Sequence, residues 1–224
     1  MMTALTLHAH EIRRLLSHGS VLMVRPVKPQ PEDYIVGDLL GQPQWYLDGD
    51  PEHVLRPPYA PGTKHWVRER FAIAIGGLSL GLWDWQEYVS VIFPEGVGPS
   101  FDLREEHPDY AKIRMYAMRN APADWRSPAT MPRWASRCDV IVRDVRVRRM
   151  RDVTYADCIA AGWVDVPRQE RRPSALGERP KEKLEMEWAA RYAYREQPGG
   201  AYIIPEWVWA VTVTRTPDSP AKEV

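Results

Sequence analysis

The sequence predicts an α+β fold: a small mixed β-barrel with flanking short helices and a long insertion, formed as one domain over residues 1–216. Three observations lead there. Short runs of apolar and β-branched residues recur between Gly- and Pro-rich turns, only two or three segments carry helical spacing, and strands do not alternate with helices as a doubly wound parallel sheet requires. A chain of 224 residues buries a real core yet lies near the size at which one core suffices.

The elements follow in order. His10 to Leu16 places Ile12, Leu15 and Leu16 at helical spacing, with Gly19 where a helix would stop. Val21 to Val27 is apolar and β-branched around Arg25, and Pro26, Pro29 and Pro31 force an extended exit, so a strand runs into a proline-rich loop. Short strands are expected at Tyr34–Val36 and Gln44–Leu47, and the Pro61-Gly62 turn introduces a central strand over Lys64–Phe71. Gly76, Gly77 and Gly81 break the next stretch, which also holds Trp83, Trp85 and Tyr88. A hairpin-bearing insertion over about 72–126 is the expectation.

Ser127 to Ser136 reads as a loop held by Pro128 and Pro132. In Arg137–Arg149, Cys138, Val140 and Val142 alternate, and then Val145 and Val147 resume one position out of phase. That slip implies a bulge or tight bend near Arg143-Asp144. Thr154 and Asp157 have the spacing of a capping box for a helix through Ala161, which Gly162 ends. Val166–Pro180 is polar and is expected to be mobile. Leu184, Trp188 and Tyr192 lie on one face of a helix over Lys181–Arg195, Trp207–Thr214 closes the chain as a strand, and 217–224 is expected to be a disordered tail.

Composition narrows the function classes. Thirty Lys+Arg balance thirty Asp+Glu, so no global field draws the chain to polyanions, and any affinity for nucleic acid has to come from a local patch. The cations are mostly arginine, whose planar fork suits phosphates and base edges; a GC-rich genome gives the same bias. Cys138 and Cys158 form neither a CxxC nor a disulfide framework, which fits a reducing cytoplasm. No export signal or span of about 20 apolar residues appears, so a cytoplasmic protein without membrane attachment is expected.

Four segments carry a resemblance: the helix-turn-strand Ile12–Lys28; PGTKHWVRER at Pro61–Arg70; MPRWASR at Met131–Arg137, with its strand and the helix TYADCIAAGW; and EWVWAVTV at Glu206–Val213. In this order they resemble the ASCH-type proteins of the PUA-like superfamily found in bacteriophage and prophage genomes. The resemblance covers about half the chain and implies a PUA-like β-barrel with a cleft beside the first helix-strand turn, among relatives that read modified bases or bind RNA. Some ASCH members are amidohydrolases acting on a modified cytidine. Their catalytic turn carries a lysine and a threonine where this chain has Ser20 and Met23, and only the final arginine, Arg25, remains. Serine without a partnering base does not easily replace a lysine of lowered pKa, so that mechanism is not expected unchanged.

Each candidate residue has a structural and a functional reading. Glu69 shares a strand face with Val67 and Phe71, where a carboxylate must be paired or functional. It either pairs with Arg25 or Arg137, or serves in acid/base work or base-edge recognition. Arg133, Trp134, Ser136 and Arg137 set donors around a ring. They suit a phosphate or flipped base, or else anchor a loop through tryptophan burial. Together with Arg25, Arg68 and Glu69 they are the expected ligand-binding set. Arg146 and Arg148, within the basic run from Arg143 to Arg151, either track a phosphate backbone or form a solvated face. Trp207 and Trp209 are expected to pack.

The histidines show no metal-ligand spacing, and no metal or cofactor is expected; His18, in the cleft turn, is the one suited to act as a base. The first function expected is therefore a binding module for nucleic acid or a modified nucleoside. The alternatives are a hydrolase of a modified nucleoside or RNA, with Glu69 as acid/base and Ser20 or His18 in a substituted role, and an accessory protein that engages a host protein through Trp83 and Trp85.

Overall fold

The computed structural model describes residues 2–28, 30, 34–39, 42–47, 54–79, 85–94, 101–120, 124–163, 180–193 and 203–217. In chain order the elements are β1 (Thr3–Thr6), α1 (Ala9–His18), β2 (Ser20–Pro26), β3 (Tyr34–Leu39), β4 (Gln42–Leu47), β5 (Val54–Leu55), β6 (Lys64–Arg68), β7 (Ala72–Ser79), β8 (Trp85–Ile92), β9 (Phe101–Leu103), α2 (Tyr110–Asn120), β10 (Asp139–Arg149), α3 (Tyr155–Ala160), α4 (Pro180–Tyr192) and β11 (Trp207–Arg215). The fold is mixed α+β, as the sequence predicts. Its contacts divide into two units: Met1–Gly19 with Lys64–Val140 and Arg215–Val224, and Ser20–Thr63 with Ile141–Thr214.

In the first unit β1 runs parallel to β6, with Leu5 opposite Val67 and both side chains buried. A short terminal segment gives little periodicity to read, and β1 exists because β6 supplies its partners. Ile12 and Leu15 bury the inner face of α1, and the Glu11 carboxylate accepts the His8 N–H at 2.7 Å across the first turn. Gly19 ends the helix at φ 72°, in the left-handed region where a Cβ would be strained, and donates to the Leu15 carbonyl at 2.8 Å.

The insertion forms an antiparallel sheet, β7-β8-β9, followed by α2. Gly76 and Gly77 lie within β7 rather than breaking it. Gly76 faces Tyr88 across the pair, and an added Cβ would meet the Tyr88 ring at 2.5 Å, so the glycine makes room for the ring. α2 buries Tyr110, Ile113 and Ala117 against Phe71, Ile73, Val89 and Val91.

In the second unit β2 lies antiparallel to β11, from Val208 opposite Pro26 to Thr214 opposite Ser20. β10 begins in the first unit and continues here, and its buried positions pass from Val140 and Val142 to Val145, one residue out of phase, as the sequence predicts. β3, β4 and β5 form a separate antiparallel sheet, longer at β3 and β4 than the sequence suggests. Thr154 accepts the Asp157 N–H at 3.1 Å while Asp157 accepts the Thr154 N–H at 2.9 Å, which is the expected capping box opening α3. Leu22, Val24, Cys158, Leu184, Trp188 and Val208 share one core, with the Trp188 indole N–H bonded to the Pro205 carbonyl at 3.0 Å. Trp207 and Trp209 are buried, in keeping with packing.

Among the described residues the pairings form open sheets and close no barrel: β1 pairs only with β6, and β2 only with β11. The expected mobile segment Val166–Pro180 lies outside the described residues apart from Pro180, as does the tail beyond Pro217. No helix among the described residues is long and apolar enough to cross a membrane.

Candidate ligand-binding site

The segment after Ser127 advances in two 3-10 turns, Pro128–Thr130 and Arg133–Ala135, because Pro128 and Pro132 preset the backbone for each. The second turn sorts its side chains. Met131 and Ala135 point into the first unit's core, Trp134 packs against that core and meets the Tyr116 ring edge-on at 5.7 Å, and Arg133 stays half-exposed. The Arg133 guanidinium reaches the Asp139 carboxylate at 3.1 Å.

A cavity of about 470 Å³ opens beside this turn, walled by Arg133, Trp134 and Ser136, with Cys138 and Asp139 from the start of β10 and with His107 and Asp109 from the turn before α2. Its volume falls within the range of small-molecule sites. The Ser136 hydroxyl donates to the carbonyl of Val67 (2.8 Å) or Cys138 (3.1 Å), so it offers a ligand acceptor capacity only. His107 Nδ1 accepts the Asp109 N–H at 3.1 Å, which assigns the proton of the neutral ring to Nε2. Burial pushes the Cys138 thiol up to about 12, with the Glu69 carboxylate adding to the effect, so it stays neutral in the wall. Among the described residues no group of three His, Cys, Asp or Glu is placed to hold a metal ion.

Of the expected set, Arg133, Trp134 and Ser136 come together at this cavity. Glu69 and Arg137 come together elsewhere in the same unit, as a buried ion pair: Arg137 Nε and Nη2 donate to the two carboxylate oxygens at 2.9 and 2.7 Å, with the guanidinium 3.9 Å from the Phe93 ring centroid. Burial pushes the Glu69 carboxyl up from its ordinary range, and the two bonds from Arg137 pull it back in part. The pairing reading of Glu69 therefore fits, with Arg137 as the partner. Arg68 covers the Trp66 ring at 4.9 Å. Neither it nor the Glu69–Arg137 pair is in the cavity wall.

The remaining candidates do not line this cavity. Arg25 belongs to the second unit, where it stands opposite Trp209 and donates to the Val24 carbonyl at 2.9 Å. Ser20 opens β2 opposite Thr214, and Met23 is fully buried. His18 Nδ1 lies 2.6 Å from the Ser17 hydroxyl, which is within donor range of the Arg13 carbonyl at 2.8 Å. Arg146 pairs with Asp144 at 2.7 Å and Arg148 with Asp157 at 2.9 Å. Trp83 and the Trp85 side chain lie outside the described residues.

Sequence reasoning missed His107, Asp109 and Asp139. His107 and Asp109 flank Pro108 in front of a helix whose apolar spacing is weak, and Asp139 is an ordinary polar position in a strand. Comparison with protein-family models, curated proteins and solved structures finds no match.

Proposed function

We propose that this chain is a binding module for a nucleobase or nucleoside, free or presented unpaired by a nucleic acid, and that it is a distant PUA-like, ASCH-type protein of a reducing cytoplasm. The observation that carries the binding reading is the cavity, whose wall combines the aromatic Trp134, the cationic Arg133 and the Ser136 hydroxyl in a volume suited to one nucleoside. Motif order supports the family assignment, and two free buried cysteines fit the compartment. The hydrolase reading has less support, since Glu69 is engaged through both oxygens by Arg137 and does not line the cavity.

A thermal-shift screen against ordinary and modified nucleosides, nucleotides and short DNA and RNA strands tests this, with product analysis of each mixture. A ligand at a hundred times its dissociation constant stabilises the fold by about 2.7 kcal/mol. The expected result is a shift with unaltered ligand, lost in Arg133→Ala while that variant melts as the parent does, because the side chain is half-exposed. A shift accompanied by altered ligand revives the hydrolase. No shift with any ligand, or a shift that Arg133→Ala leaves unchanged, rejects the cavity as the site.

A further inference from the structure

Resting on that reading of the cavity, we infer that it takes a phosphate-free ligand rich in N–H or O–H donors, and that Asp139 sets this preference by occupying Arg133. Arginine grips phosphate through a free guanidinium fork. Here Arg133 is already bonded to Asp139 at 3.1 Å, and a second carboxylate, Asp109, stands in the same wall. Asp109 is itself paired with Lys112 at 3.2 Å, and a phosphate dianion would have to compete with the Asp139 carboxylate for the Arg133 guanidinium, whereas a ligand bringing donors would not.

The neutral groups point the same way. The hydroxyl proton of Ser136 is committed to a backbone carbonyl, so its oxygen can only accept, and the Cys138 thiol is a weak donor. The wall thus has three acceptor groups, Asp109, Asp139 and Ser136, against Arg133 and the His107 ring as donors. A planar ring stacked on Trp134 would complete this wall by bringing donors of its own. Exocyclic amino groups of a base and sugar hydroxyls both supply that chemistry.

Titration calorimetry of the intact chain with adenosine, cytidine, free adenine and cytosine, and the two 5′-monophosphates tests the inference. The nucleosides are expected to bind at least about tenfold more tightly than their monophosphates. In Asp139→Asn, which removes the competing negative charge on the guanidinium while keeping the side chain's shape, the monophosphates are expected to gain about tenfold. Free bases binding as tightly as nucleosides assigns the donors to the amino group; bases that bind much more weakly assign them to the sugar. Wild-type chain that binds monophosphates as tightly as nucleosides overturns the inference and leaves the cavity reading standing. Wild-type chain that binds none of the six overturns the inference, and the wider thermal-shift screen then decides the cavity reading separately. The wild-type ratio decides even if the variant fails to fold, and a folded variant with an unchanged ratio removes Asp139 from the account.

Discussion

At the residue scale, burial decides what each charged side chain does. Glu69 was placed by its strand period on an apolar face, where an unpaired carboxylate is costly, and the protein meets that cost with a two-bond pair to Arg137. Removing one partner leaves the other charge buried, so Glu69→Gln is expected to lower unfolding free energy by about 3 kcal/mol in urea denaturation, with binding at the cavity retained. Equal stability in that variant would mean the pair is well solvated. The Cys138 thiol has a pH signature. Its folded pKa, raised to about 12, makes the folded state hold the proton where the unfolded thiol has lost it, so the stabilisation is complete below pH 9 and declines as pH rises toward 12. The wild-type chain should therefore lose up to about 1.4 kcal/mol more per pH unit across that window than Cys138→Ala. Parallel alkaline profiles for the two would place the thiol in contact with water.

At the element scale, what was legible depended on periodicity and punctuation. α1, α3 and α4 announced themselves by apolar spacing and by Gly19, Thr154 and Gly162, while β10 showed even its change of phase. α2 escaped because Met115 and Met118 are exposed beside buried Ile113 and Ala117, which blurs the 3.6-residue stripe. The antiparallel pair β7-β8 falls where a hairpin-bearing insertion is expected, but the bounds of β7 were not legible because its glycines read as breakers, although Gly76 is there to accommodate Tyr88. The capping box of α3 is the most testable local device. Burial pushes Asp157 up, but the Thr154 and Arg148 bonds outweigh it and hold the carboxyl below its usual range. Thr154→Ala is expected to cost about 1 kcal/mol by thermal melting. This capping contribution is present above the ordinary carboxylate range and declines as pH falls through the lowered pKa of Asp157, so the gap between variant and parent should shrink in acid.

At the scale of the whole molecule, charge is balanced in total and also locally. The basic run that the sequence offers to a phosphate backbone is offset in place, Arg146 by Asp144, Arg148 by Asp157 and Arg149 by Glu206. Duplex DNA is therefore expected to run unretarded with this protein in a gel-shift assay at about 0.15 M salt, where exposed charges are screened beyond about 8 Å. Stable retardation there would return the stripe to the functional account. The sequence alone determined the α+β class and, among the described residues, most strands and three of the four α-helices, together with the pairing need of Glu69 and the Arg133-Trp134-Ser136 group, because all of these follow from periods and residue chemistry within a few neighbouring positions. Tertiary structure alone decided that Arg137 answers Glu69, that the described pairings leave the sheets open, and that His107, Asp109 and Asp139 join the cavity wall. Those outcomes depend on distances between residues far apart in the chain, which no local pattern encodes.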